Sequence, residues 1–181
     1  MRTANFFDDD YGNIEIVPAE NLVWCGEQQE AIDRFSEAHR DGIGWSKMYV
    51  RPEVPVPLAA RGISKGELHE VIASQLPPFD RITCEHEPLG DSSRIAAYGP
   101  HPDVVVFATL EGELVKELWG TLQPDATSHV TAAAAGLQAL AKWNLILVDW
   151  GWSCVIPLDD PARLAGYLSE RLRVFGAPAP R

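Results

Sequence analysis

The stretch Thr131–Leu158, TAAAAGLQALAKWNLILVDWGWSCVIPL, decides how this chain folds. Val130, Ala134, Leu137 and Ala141, with Leu140 offset by one, recur at helical spacing, so a helix of small residues can press closely on a sheet. Asn144 breaks that pattern. Leu145, Ile146, Leu147 and Val148 then form an apolar run too short for a surface helix and rich in strand formers, as expected of a strand covered on both faces. Asp149, Trp150 and Gly151 supply a turn, and Ser153 to Ile156 return as the partner strand.

Outward from this stretch, strands and helices alternate. Asp160 is placed to cap a closing helix with Pro161 at its first position and a buried stripe of Leu164, Tyr167, Leu168 and Leu172; Arg171 and Arg173 suit its C-terminal end before Gly176. On the N-terminal side, the Pro124-Asp125 turn leads into the Ala-rich helix. Before it, Glu111 to Trp119 reads as a short helix with Leu114, Val115 and Leu118 inward, and Val104 to Phe107 as a buried strand. Arg81 to Glu87 alternates, Ile82, Cys84 and His86 pointing one way and Thr83, Glu85 and Glu87 the other. A turn at Pro88 to Ser92 and a strand at Arg94 to Tyr98 would complete a hairpin with it. Ser64-x-x-Glu67 is a capping box for a helix carrying Leu68, Val71, Ile72 and Leu76 and ended by Pro77 and Pro78. Pro52, Pro55 and Pro57 mark an extended surface crossing.

Near the start, Ile14 to Val17 is expected to form a strand stopped by Pro18, with Leu22 to Trp24 continuing or pairing with it. Glu27 to His39 is an amphipathic helix through Ala31, Ile32, Phe35 and Ala38, closed by Gly42 and Gly44, and Trp45 to Val50 a further strand. Connections this short favour antiparallel neighbours. The expected fold class is α+β: one mixed, mostly antiparallel sheet of about five to six strands with helices packed on it, over residues 14–176, preceded by an acidic arm at 1–13 and followed by a frayed tail at 177–181.

The 181 residues, 46% of them hydrophobic, suit one domain with a sizeable core. No apolar run approaches the roughly 18 residues that cross a membrane, and Met1 to Asp10 lacks the order of a secretory signal, so a cytoplasmic protein without a membrane partner is expected. Cys25, Cys84 and Cys154 read as free thiols in a reducing compartment. The net charge is −11, concentrated early: up to Asp41, three Arg stand against ten acids. That balance repels phosphate backbones, which argues against a nucleic-acid ligand and for a basic protein partner.

Cys84-Glu85-His86-Glu87 is the densest group of chemically able side chains, but strand alternation would divide it between two faces, so no metal is expected. His39, His69, His86, His101 and His129 lie in no nucleophile context, and neither a phosphate loop nor a dinucleotide fingerprint occurs, so no cofactor is expected. Trp150 and Trp152 flank a turn beside Asp149, which combines aromatic anchors with a carboxylate.

The ending from Ala132 to Leu168, helix–VDWGW–strand–LDDP–helix, together with the acidic balance, resembles bacterial immunity proteins of toxin–immunity pairs. The resemblance implies an antitoxin that binds and occludes a cognate protein toxin with a basic effector domain. Its expected contacts are Asp8, Asp9, Asp10, Glu85, Glu87, Asp149, Trp150 and Trp152. Two other readings stay open: a small hydrolase or transferase using Cys84 or Cys154 with a histidine, and a homodimer joined through the tryptophans.

Overall fold

The computed structural model describes residues 1–42, 44–89, 92–123 and 127–173. Its strands are β1 (Thr3–Phe6), β2 (Ile14–Pro18), β3 (Arg40–Asp41), β4 (Gly44–Trp45), β5 (Arg81–Cys84), β6 (Glu87–Pro88), β7 (Ile95–His101), β8 (Val104–Glu111), β9 (Leu114–Leu122), β10 (Leu145–Asp149) and β11 (Cys154–Pro157). Its α-helices are α1 (Leu22–Ala38), α2 (Lys65–Ile72), α3 (Val130–Ala139) and α4 (Pro161–Arg173). The main sheet has six strands in the order β11-β10-β2-β9-β8-β7, every neighbouring pair antiparallel. A three-stranded sheet, β1-β5-β6, lies against it, with β1 and β5 parallel. This is the α+β class expected, and the opening stretch folds as read, with α3 running through a last 3-10 turn into Asn144 at φ 53° and then into β10.

The two faces of the main sheet carry different layers. Ile14, Ile16, Leu118, Val106 and Leu147 face α2, α3 and α4, which contribute Leu68, Ile72, Leu137, Leu164 and Leu168 to the largest core. The close approach expected of the small-residue helix is real: a Cβ on Gly136 would lie 2.3 Å from Leu76 Cγ. The opposite face is covered twice. The small sheet caps Val105, Phe107 and Trp119 with Ala4, Phe6 and Ile82, while α1 covers Val17, Ile146 and Val148 with Cys25 and partly buried Trp24 and Ile32. Between these two covers the sheet face is open.

Several elements differ from the sequence reading. Residues 3–6, read as an arm, form β1, held by the parallel ladder to β5 and by Arg2, whose guanidinium donates to the carbonyls of Pro77, Pro78 and Gly99. Leu22 to Trp24 is helix, not strand; the buried stripe of α1 continues back through Ile32, Gln29 and Cys25, and the polar Gln29 hid it. The strand expected at Trp45 to Val50 shrinks to Gly44–Trp45, after which Ser46 N bonds His39 O and the Tyr49 hydroxyl bonds Gln28. The helix expected from Glu111 to Trp119 is β9, because Gly112 at φ 60° turns the chain in a two-residue hairpin between Glu111 and Leu114. β5 stops at Cys84, and β7 pairs with β8 rather than with β5. Gly176, the tail, Pro124, Asp125 and the Leu172 side chain lie outside the described residues.

The capping box before α2 is formed as expected: Ser64 Oγ accepts from Glu67 N at 3.2 Å and Glu67 Oε2 accepts from Ser64 N at 2.9 Å. The helix itself ends at Ile72, short of Pro77. Ser64→Ala is expected to cost about 1 kcal/mol, read as a shift in denaturation midpoint at unchanged slope.

Candidate binding surface and groove

Parallel pairing of β1 with β5 sets Phe6 opposite Cys84, so the chain leaves both strands at the same end of the small sheet. From β1 it enters a 3-10 turn of Asp8, Asp9 and Asp10; from β5 it enters the two-residue loop Glu85-His86 before Glu87. Glu85 N donates to Phe6 O, and Cys84 Sγ donates to Asp8 Oδ1 at 3.3 Å across 76 positions of sequence. Asn5 Oδ1 accepts from His86 N and from Thr83 Oγ1, both at 2.8 Å, which ends the strand and turns the loop outward. Glu85 and His86 have φ of 50° and 69°, a left-handed pair that a glycine or asparagine would adopt more easily. The five acids singled out in the sequence away from the VDWGW turn thus share one end of the molecule. Asp8, Asp9, Glu85 and Glu87 are exposed, and among them sits Phe7, 45% exposed and 5.6 Å edge-on from the His86 ring.

The VDWGW turn behaves otherwise. Asp149 is the last residue of β10 and 1% exposed. Its Oδ2 accepts from the Tyr167 hydroxyl at 2.7 Å and from Arg171 Nε at 3.2 Å, and its Oδ1 accepts from Trp152 N at 3.1 Å. Trp150 is 8% exposed, edge-on to Trp24, and donates its indole N–H to Glu15 Oε2 at 2.8 Å. As surface contacts both residues are therefore corrected: they lock the hairpin to α4 and α1, because the turn is folded between those helices instead of projecting. Trp152 is half-buried, with Arg171 4.9 Å over its ring.

The open strip of sheet between the two covers forms a groove of about 490 Å³. β2 pairs with β9 only at Ile14–Ile16; farther along, Ile63 and Lys65 take its place by bonding Val115 N and Glu113 O. The Pro-rich segment 51–59 crosses at this notch and closes one wall. It is pinned there by Arg51, which forks onto Glu15 at 2.9 and 3.1 Å and lies 3.9 Å over the Trp150 ring. On β9, Glu117 and Trp119 point to the same side; Tyr11, just past the acidic turn, stands edge-on to Trp119 at 5.2 Å and donates its hydroxyl to Glu117 Oε2 at 2.6 Å. Burial, then the hydrogen bond to Glu117 and its charge, hold the Tyr11 phenol well above its ordinary range. Sequence reading missed this groove. The one signal for it was Glu15, a carboxylate inside the apolar run Ile14–Val17, where a charge needs a partner.

The thiols are poorly placed for nucleophilic work. Burial pushes Cys25 and Cys154 up to about 11, and burial followed by the Asp8 carboxylate raises Cys84. Among the described residues no hydrogen bond joins a cysteine to a histidine, no group of three or more potential ligands is gathered as for a metal, and no helix is long and apolar enough to cross a membrane. Comparison with protein families, curated proteins and solved structures finds nothing that matches this chain.

Proposed function

We propose that this protein is an inhibitor of the immunity type, a cytoplasmic antitoxin that binds a basic protein toxin through the acidic end of its small sheet. The observation that carries the reading is the meeting of Asp8, Asp9 and Asp10 with Glu85 and Glu87 around exposed Phe7. Carboxylates in that density raise the encounter rate with a cationic surface and occupy a cleft shaped for phosphates, while an apolar ring among them supplies contact that slows release. The raised thiols favour this reading over thiol-based hydrolysis or group transfer.

The product of the open reading frame directly upstream of this protein's gene is the partner to test as the toxin. Wild-type protein is expected to co-purify with it and to block its activity. Neutralising the tip (Asp8→Asn, Asp9→Asn, Glu85→Gln, Glu87→Gln) should slow association about tenfold or more at low salt and flatten its salt dependence. Phe7→Ala should instead speed dissociation. An association rate indifferent to the four neutral replacements would remove the acidic end from the account.

A further inference from the structure

The groove beside the acidic end has the parts of a cation slot. Its volume of about 490 Å³ falls in the range of small-ligand pockets, about 300–1,000 Å³. Glu117 is exposed at its rim and accepts one hydrogen bond, from Tyr11 to Oε2; among the described residues nothing bonds Oε1 and no ion pair reaches this carboxylate. The Tyr11 ring beside it is 51% exposed. The chain's own cations in the groove are committed elsewhere, Arg51 to Glu15 and Lys116 to Glu111 at 2.7 Å, while Glu53 adds a further carboxylate to the lining.

Arg51 also displays the mode of binding. Its guanidinium forks onto a carboxylate and stacks on an indole. Glu117 with Tyr11 and Trp119 offers the same two ingredients on the neighbouring strand: a carboxylate with a free oxygen, and a ring next to it.

We propose that this groove receives the guanidinium of an arginine side chain carried by the basic partner, held between the Glu117 carboxylate and the Tyr11 ring. The inference rests on the reading of the protein as a binder of a basic protein, and it makes the groove the specific pocket beside a less specific charged tip. Charge complementarity favours this occupant: with Arg51 and Lys116 paired, the remaining formal charge in the lining is negative.

The test uses N-acetyl-arginine amide and its neutral isostere, N-acetyl-citrulline amide, titrated into the whole protein by NMR. The buried Trp119 indole N–H, which has no hydrogen-bond partner among the described residues, and the Tyr11 ring are the reporters. The arginine probe is expected to shift both saturably and the citrulline probe to leave them in place. Glu117→Gln, which keeps an acceptor for Tyr11 at an exposed site, should weaken the arginine probe about tenfold or more. No saturable shift, or equal shifts with both probes, overturns the assignment. The two readings fail separately: a probe that binds normally while tip replacements leave toxin association unchanged removes the tip alone. Tip replacements that slow association in a protein blind to the arginine probe remove the groove alone.

Discussion

Asp149→Ala is expected to lower folding stability by about 3–5 kcal/mol, a large share of the roughly 5–15 kcal/mol that holds a domain of this kind together. The carboxylate is 1% exposed and accepts three hydrogen bonds, from the Tyr167 hydroxyl, Arg171 Nε and Trp152 N. Truncation strips the buried phenol of its acceptor and takes the negative charge away from a half-buried guanidinium, so donors lose more than the bonds were worth net. Asp149→Asn keeps one acceptor oxygen and should cost less. Chemical denaturation reads both, and a loss under about 1 kcal/mol for alanine would show that the network is not what fastens α4 to β10. The same network predicts an alkaline limb. Burial first, then the Asp149 charge, raise the Tyr167 phenol above its usual value of about 10. Below that pH the phenol is neutral in both states and its contribution is complete. As pH rises further, the unfolded chain ionises while the folded one resists, so stability drains upward from about pH 10. Tyr167→Phe should shallow that decline, although Tyr11 and Tyr98 are also raised and keep part of it.

Where side-chain pattern and backbone chemistry agreed, the sequence was readable. Ser64 and Glu67, Asp160 with Pro161, and the run Leu145–Val148 each carry a local signal that nothing tertiary opposes, and Asp160 Oδ1 does accept from Arg163 N. β9 was misread because Leu114, Val115 and Leu118 satisfy helical spacing as well as they satisfy a strand buried on both faces from Leu118 to Leu122. The turn at Gly112 was the deciding clue. The tight loop at Glu85-His86 gave no such clue, since two left-handed residues there are neither glycine nor asparagine. For the site, charge was legible and proximity was not. Asp8 and Glu85 meet only through a parallel pairing of β1 with β5 that no local pattern announces. Trp150 and Trp152 read as aromatic anchors for a partner because the sequence does not tell that α1 and α4 close over the turn.

The joint between the two sheets rests on Gly99, and Gly99→Ala is expected to cost about 3 kcal/mol or more. A Cβ at this position would stand 2.0 Å from the carbonyl oxygen of Val104 and 3.2 Å from the Phe79 ring, and the first of these is backbone that cannot swing aside. The β7–β8 register shifts here, between Tyr98 and His101, so the carbonyl of Val104 is brought in under Gly99 where an ordinary ladder would keep it in plane. Gly99 N also donates to Pro77 O, and its carbonyl accepts from Arg2 Nη2. These bonds tie the lead-in to β5 and the start of β1 to the edge strand of the main sheet. An added methyl must therefore loosen the small sheet before it disturbs the helical core on the other face. Hydrogen exchange separates those events: protection should fall first at Ala4, Asn5 and Thr83, with Leu147 and Val148 keeping theirs until global unfolding. Because the acidic turn and the Glu85-His86 loop hang from that sheet, the variant should also lose binding of the proposed basic partner in parallel with this local opening, at denaturant concentrations where β10 remains protected. Uniform loss of protection across both sheets would mean that they unfold as one unit, and that the acidic end is as rigid as the core.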